Sequence, residues 1–183
     1  MWYYARYEGN FLPSPKKTFN PMMLVAIVIL VPGTQFAANF IANLTGYIRP
    51  DWLQQYNELF ETSGITDTTF VTVLYSVILA PICEELIFRG VTMRCARKAL
   101  PFALANLMQA ALFGLFHLNW IQGIYAFALG IVLGYVCERG GSIYYSMGLH
   151  LLFNLWGTLS GFFPDPGNSV AVSYTHLTLP TKL

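Results

Sequence analysis

Three short segments carry charged, imidazole or amide side chains inside sequence that is otherwise apolar. The segments are PICEELIFRG, FGLFH and HLLFN, and the side chains belong to Glu84, Glu85, Arg89, His117, His150 and Asn154. An ionised side chain at the centre of a membrane helix costs about 2.5–3.5 kcal/mol on insertion scales, so such residues are rare there and mark functional sites. We therefore expect these side chains to share one site.

The spacing within each segment predicts which side chains lie together. Residues four apart share a helix face, so Glu85 can pair with Arg89, and His150 projects on the same side as Asn154. Glu84 points about 100° away from Glu85 around the helix, which directs its carboxylate toward a different partner. This division suits one glutamate to be held in place and the other to act as a base.

Three kinds of chemistry fit these residue types. A glutamate could be the general base toward water while the histidines and Asn154 stabilise an oxyanion. Alternatively, Glu84, His117 and His150 could hold Zn²⁺ and lower the pKa of a bound water. The same groups could also form a proton or ion path in a transporter. Taken singly, each histidine is more often a hydrogen-bonded packing residue, and Asn154 alone is best explained as an interhelical hydrogen-bonding residue.

Composition places these segments in a membrane. Of 183 residues, 55% are hydrophobic and 10% are charged, against about 25% charged in soluble domains. We therefore expect an all-α, polytopic bundle of transmembrane helices in contact with the lipid bilayer. No basic cluster points to a nucleic acid partner. The three cysteines have no metal-type spacing, and we interpret them as packing residues.

Five apolar stretches are long enough to be membrane spans. They cover residues 18–48, about 68 into the 90s, two spans within 99–137 that turn at 118–120, and 142 to about 163. Residues 49–67 are expected to be a polar loop. Glu84 precedes the turn at Leu100 by as many residues as His117 follows Pro101, so both should lie at similar depth. His150 lies about 12 Å into the last span, so the three could meet in the inner half of the membrane.

The basic residues predict the orientation. They fall almost entirely on one side of the predicted bundle, at Arg6, Lys16, Lys17, Arg89, Arg94, Arg97, Lys98 and Arg139. The positive-inside rule then places the N-terminus in the cytoplasm.

The distribution of apolar and polar segments divides the chain into three parts. We expect a cytoplasmic segment at 1–20 and a transmembrane domain at 21–171, with a catalytic core at about 68–163. Residues 172–183 are polar and unpatterned, and resemble translated vector sequence. We therefore expect a non-native tail and a natural protein truncated near Ala171, with later helices missing.

The three motifs resemble those of one family. PICEELIFRG resembles the EExxxR motif, FGLFH the FxxxH motif and HLLFN the HxxxN motif of the CPBP family, in family order. This is the family of CAAX proteases and bacteriocin-processing intramembrane endopeptidases, also called the Abi or type II CAAX prenyl endopeptidase family. The resemblance covers about residues 68–163. It implies a helical membrane bundle around a water-filled cavity that opens to the cytoplasm.

The resemblance also implies a role for each residue. Glu84 would activate water, with Glu85 and Arg89 as its second carboxylate and orienting partner. His117 would be a second catalytic element, and His150 with Asn154 would stabilise the oxyanion. The HExxH spacing of a zinc helix is not present, so we expect no cofactor, with Zn²⁺ as the alternative.

The implied substrate is a peptide or prenylated peptide in the membrane, either CaaX-type or bacteriocin-like, and the implied location is a bacterial cytoplasmic membrane. Two alternatives remain: a transporter with a buried Glu/His relay, and a non-catalytic immunity or scaffold protein of the same fold.

Overall fold

The computed structural model describes residues 20–62 and 69–160, and this part of the chain is helical. Its helices are α1 (Pro21–Ile48), α2 (Pro50–Thr62), α3 (Phe70–Arg97), α4 (Phe102–Phe116), α5 (Trp120–Gly140) and α6 (Ile143–Ser160). The predicted all-α fold class is confirmed. The predictions for the N-terminal segment, for the truncation near Ala171 and for the tail at 172–183 lie outside the described residues.

Three of these helices, α1, α3 and α5, are long and apolar enough to cross a membrane. Helix α4 is shorter, with 15 residues, and α6 has 18. Each predicted apolar stretch therefore contains a helix, while the count of five spans stays a prediction. Large apolar side chains such as Ile29 and Phe36 of α1 are exposed, at 67% and 75%, as expected for a helix in contact with lipid.

The expected polar loop at 49–67 is wrong over most of its length, because residues 50–62 form helix α2. Pro50 occupies the first helical position, where its fixed φ is favourable and its missing N–H costs nothing. Trp52 stacks on Trp120 of α5 with the ring centroids 5.3 Å apart. Tyr56 packs on the same side, and burial raises the pKa of its hydroxyl. The segment is thus an amphipathic helix whose apolar face packs on α5.

The predicted turns are present. Helices α4 and α5 are joined by residues 117–119, where Asn119 caps α5 by accepting a hydrogen bond from the Gln122 backbone N–H at 3.1 Å. Helix α5 ends at Gly141, whose φ of 65° is the left-handed conformation in which glycine is favoured. These tight connections make α4, α5 and α6 successive antiparallel neighbours.

Helix α5 packs closely against α4 along a row of small residues. A Cβ atom added to Gly134 would overlap the side chain of Asn106 and lie 2.8 Å from Gln109 Nε2. Small residues permit such close backbone approach in membrane bundles. On the other side of α5, the core continues through residues of α1, α3 and α6: Ile27, Val31, Phe88, Leu149 and Phe153. The candidate site lies beside this core.

Candidate active site

The two glutamates lie in a short α-helical part of α3 between two π-helical segments. The α-helical part is Ala80–Glu85, and the π-helical segments are Leu74–Leu79 and Leu86–Met93. Such wide turns are rare and frequently occur at functional sites. They rotate the side chains relative to a regular helix. The Glu85 side chain is fully buried, whereas that of Glu84 is 25% exposed.

Glu85 pairs with Arg89, as the spacing predicts. Arg89 Nη1 lies 2.9 Å from Glu85 Oε1, and both side chains are inaccessible to solvent. Arg89 also donates from Nη2 to the Gly130 carbonyl of α5 at 3.3 Å. Its guanidinium carbon lies 4.5 Å from the centre of the Phe113 ring. A buried charge is tolerated when it is paired and hydrogen-bonded, and Arg89 meets both conditions.

His150 of α6 contacts both glutamates. Its Nδ1 lies 3.0 Å from Glu85 Oε1, and its Nε2 lies 3.6 Å from Glu84 Oε2. The first distance is that of a hydrogen bond, whereas the second is too long for one. The imidazole is therefore anchored on the buried carboxylate and directed at the accessible one.

His117 lies next to this group but does not join it directly. Its Nδ1 is 2.7 Å from the Phe113 carbonyl oxygen, which can only accept, so Nδ1 carries the proton of that hydrogen bond. The Phe113 ring packs edge-on against both imidazoles, with centroids 4.9 Å from His117 and 5.7 Å from His150. Phe113 thus lies at the site, as its spacing from His117 suggests.

Asn154 forms its hydrogen bond with a backbone carbonyl and not with the glutamates that His150 contacts. Its Nδ2 donates to the Ser76 carbonyl oxygen of α3 at 2.9 Å. Ser76 belongs to the first π-helical segment. The side chain therefore ties α6 to α3 one turn from His150, which matches the packing interpretation of Asn154.

The part of the chain that contains this site matches a known family. Residues 66–156 match the family model described as type II CAAX prenyl endopeptidase Rce1-like. This segment of the chain belongs to the Rce1-like family. No curated protein and no solved structure matches the chain. The family resemblance that the motifs predict is confirmed, and the matched range contains Glu84, Glu85, Arg89, His117, His150 and Asn154. The match points to a protease with a peptide substrate in the membrane.

The residues that the sequence analysis missed are two neutral amides behind Arg89. Gln109 Nε2 donates to the Gly130 carbonyl at 2.9 Å and to Asn106 Oδ1 at 2.7 Å. The Gly130 carbonyl therefore accepts from both Gln109 and Arg89. In the sequence, their signal is a pair of amide residues three apart in an otherwise apolar helix. Neither residue is ionisable, so neither belongs to the pattern of charged and imidazole residues that predicts the site.

The proposed zinc ligands do not assemble into a metal centre within residues 20–62 and 69–160. Among these residues, no three histidine, cysteine, aspartate or glutamate side chains are placed to hold a metal ion. Of the three candidates, Glu84 and His150 lie 3.6 Å apart, whereas the His117 ring packs against Phe113. One nitrogen of His150 is already engaged with Glu85.

Proposed function

We propose that this protein is an intramembrane endopeptidase in which Glu84 activates water for attack on a peptide bond. The observation that carries the proposal is the unequal environment of two adjacent carboxylates. Glu85 is buried and held by Arg89 and His150, whereas Glu84 is partly accessible and has His150 Nε2 at 3.6 Å. A base must reach its substrate water, and a group that positions another must not move. Glu84 suits the first role and Glu85 the second.

The reaction balances with these groups. Glu84 takes a proton from water as the hydroxide oxygen forms a bond to the scissile carbonyl carbon. The carbonyl oxygen becomes an oxyanion in the tetrahedral intermediate. Glu84 then gives the proton to the peptide nitrogen as the carbon–nitrogen bond breaks. One product has a new carboxyl group, the other has a new amine, and Glu84 is again a carboxylate.

We propose that His150 is the electrostatic partner of Glu84 and of the oxyanion. With both carboxylates and Arg89 ionised, the cluster carries one excess negative charge, which a protonated His150 would neutralise. A neutral cluster costs less in low dielectric than a charged one. A protonated imidazole bonded to Glu85 through Nδ1 has its Nε2–H available for the developing negative charge. Asn154 contributes by holding α6 in register with α3.

His117 completes the site from the side of Phe113. Because its Nδ1–H is taken by the Phe113 carbonyl, Nε2 is left as an acceptor. We propose that it accepts a hydrogen bond from the attacking water or from a substrate N–H. The mechanism is proposed without a metal ion, because Glu84 takes and returns the proton while His150 and His117 supply the remaining polar contacts.

The substrate is proposed to be a membrane-associated peptide of CaaX or bacteriocin-like type, because the Rce1-like family acts on CAAX-type substrates. The location is proposed to be a bacterial cytoplasmic membrane. The charge distribution supports an N-terminus on the cytoplasmic side, since Arg94, Arg97 and Arg139 lie near one end of the bundle and the Arg49–Asp51 pair near the other.

The test is cleavage of fluorogenic membrane peptides by purified protein in detergent. We expect Glu84→Gln to lower kcat by about a hundredfold or more, because Gln keeps the shape and removes the base. The matched control is Glu58→Gln on α2, which should retain wild-type kcat. Both proteins are also assayed with a chelator. Full activity of Glu84→Gln would refute the assignment of the base. Activity lost with chelator and restored by Zn²⁺ would refute the metal-free mechanism.

A further inference from the structure

An apolar groove runs along the surface of the bundle where α1 and α4 both pack on α5. Its volume is about 790 Å³, which lies within the range of about 300–1,000 Å³ that is typical of ligand sites. It is lined by Met23 and Leu30 of α1, Leu107 of α4, and Val132 and Val136 of α5. The residues of the candidate active site do not line this groove, so it is a separate feature of the molecule.

One end of the groove carries a positive charge. Among the described residues that line it, only Arg139 in the last turn of α5 is charged. Its Nε donates to the Tyr135 hydroxyl at 3.1 Å, and its guanidinium carbon lies 5.4 Å from the centre of that ring. The neighbouring Glu138 is paired with Arg97 instead. The ion pairs between described residues do not include Arg139, so no carboxylate in that part of the chain neutralises it.

The polar residue deeper in the groove already has partners within the protein. Asn106 Nδ2 donates to the Ile131 carbonyl oxygen at 3.0 Å, and its Oδ1 accepts from Gln109 Nε2 at 2.7 Å. The other residues that line this part of the groove are apolar. A ligand that suits the groove therefore has an apolar body and an anionic group at one end.

The groove has nearly the length of one leaflet of the membrane. Along α5 it extends from Ile131 to Arg139, which are eight residues and about 12 Å of helix apart. Half of a hydrocarbon core of about 30 Å is about 15 Å. Arg139 lies at the end of α5 that the positive-inside rule places in the cytoplasm. The groove therefore runs from the level of the cytoplasmic head groups toward the middle of the membrane.

We propose that this groove binds an anionic phospholipid of the cytoplasmic leaflet, with one acyl chain between α1 and α4 and the phosphate on Arg139. The planar fork of guanidinium N–H groups matches a phosphate, and basic sites between membrane helices on the cytoplasmic side bind anionic head groups. Tyr135 adds a hydroxyl that accepts from Arg139 and can donate its own hydrogen to a phosphate oxygen. This lipid site is distinct from the peptide site and does not depend on the proposed protease activity.

Native mass spectrometry of the full chain, released from detergent micelles, measures lipid binding directly. The probes are dipalmitoyl phosphatidylglycerol and dipalmitoyl phosphatidylcholine, which have the same acyl chains and differ in the charge of the head group. Titration gives Kd for the first bound lipid of each kind. We expect phosphatidylglycerol to bind about fivefold more tightly, the preference that one arginine near the membrane surface confers on an anionic lipid. Equal Kd values for the two lipids would overturn the proposal.

Arg139→Gln locates the phosphate. It should raise the Kd for phosphatidylglycerol about fivefold and leave the Kd for phosphatidylcholine unchanged, because only the anionic lipid loses its ionic partner. A misfolded variant would lose both lipids, so the unchanged value controls for folding. The matched control is Lys98→Gln, which removes a positive charge at the same end of the bundle from an exposed residue outside the groove. Equal loss of the preference in both variants would indicate general attraction to the basic end and would contradict the assigned site.

Ala26→Phe locates the acyl chain, because Ala26 lines the groove and a phenyl ring there would fill part of it. It should raise the Kd of both lipids and leave their ratio unchanged. Val28→Phe is the matched control, since Val28 lies on an exposed face of α1 and does not line the groove. It should leave both Kd values unchanged. Wild-type binding by Ala26→Phe would show that the chain lies elsewhere and would refute the assignment of the groove.

A prenylated peptide is the other occupant that would suit an apolar groove. It is added in excess to Glu84→Gln protein that already holds phosphatidylglycerol, so that cleavage does not consume the peptide. Retention of the lipid supports a site of its own. One-for-one displacement of the lipid by the peptide would assign the groove to the substrate and would overturn the proposal.

Discussion

The His150 imidazole makes two neighbouring glutamates unequal. Its Nδ1 is hydrogen-bonded to buried Glu85, so the ring cannot rotate without losing that bond, and its Nε2 stays near Glu84. Arg89 holds Glu85 from the opposite direction. A buried carboxylate with two cationic or polar neighbours is a rigid support. The carboxylate of Glu84 beside it is 25% exposed, and it is the group that we propose to exchange a proton with water.

The Arg89–Glu85 pair gives a prediction for stability. Arg89→Met should lower the free energy of unfolding by about 3–5 kcal/mol, because it leaves the Glu85 carboxylate buried without its ion-pair partner. The double variant Glu85→Gln/Arg89→Met should recover most of this loss, since no unpaired charge remains. The measurement is SDS titration in mixed micelles followed by tryptophan fluorescence. A double variant as unstable as the single one would show that packing, not charge, is what Arg89 provides.

For single residues, the sequence predicts the direction of a side chain around its own helix better than its contacts with other helices. The divergence of Glu84 from Glu85 and the pairing of Glu85 with Arg89 follow from helical geometry alone, and both are present. The bridging by His150 depends on the rotation and depth of α6 against α3. The hydrogen bond from Asn154 to Ser76 depends on a π-helical turn. Neither the packing nor the π turn leaves a periodic signal in the sequence, so neither could be predicted.

At the scale of helices, the surface between α4 and α5 supports Arg89 from behind. Gln109 of α4 and Arg89 of α3 donate to the same Gly130 carbonyl of α5. Asn106 extends this network to the Ile131 carbonyl at 3.0 Å. Because α4 and α5 approach closely at Gly130 and Gly134, the support of the site depends on residues that have no side chain to recognise in a motif.

Helix α2 shows why a helix can be predicted wrongly as a loop from its composition. Its polar residues suggested a loop, whereas the spacing of Trp52 and Tyr56, four residues apart, is typical of an amphipathic helix. Overall polarity and helical periodicity are separate properties of a segment. A short helix that lies on other helices needs only one apolar face, so its mean composition can remain that of a loop.

The prediction for this scale concerns Gly134. Gly134→Ala should lower the free energy of unfolding by about 1–3 kcal/mol, because the added methyl group overlaps Asn106 and forces α4 and α5 apart. Gly33→Ala in α1 is the matched control, since nothing lies within 4 Å of its added Cβ. Alanine there should be neutral or stabilising by up to about 1 kcal/mol. Equal effects of the two substitutions in SDS titration would contradict the close-packing argument.

Across the whole molecule, the two ends of the helix bundle differ in their charged residues. One end carries Arg94 and Arg97 in the last turn of α3, Lys98 directly after it and Arg139 at the end of α5. At the opposite end, Arg49 is paired with Asp51 at 2.7 Å between α1 and α2. Lysine and arginine near the ends of membrane helices are retained on the cytoplasmic side. The end that carries Arg94, Arg97 and Arg139 would then face the cytoplasm.

This orientation predicts which residues react from outside a cell. In a protein whose three native cysteines are replaced by alanine, Gln55→Cys on α2 should react with a membrane-impermeant maleimide in intact bacteria. Ala99→Cys, in the turn after α3, should react only after permeabilisation, because the cytoplasmic side is closed to the reagent. Both positions are exposed, so reaction of both in permeabilised cells controls for access. The reverse pattern would place the arginine-rich end of the bundle outside the cell and would contradict the predicted orientation.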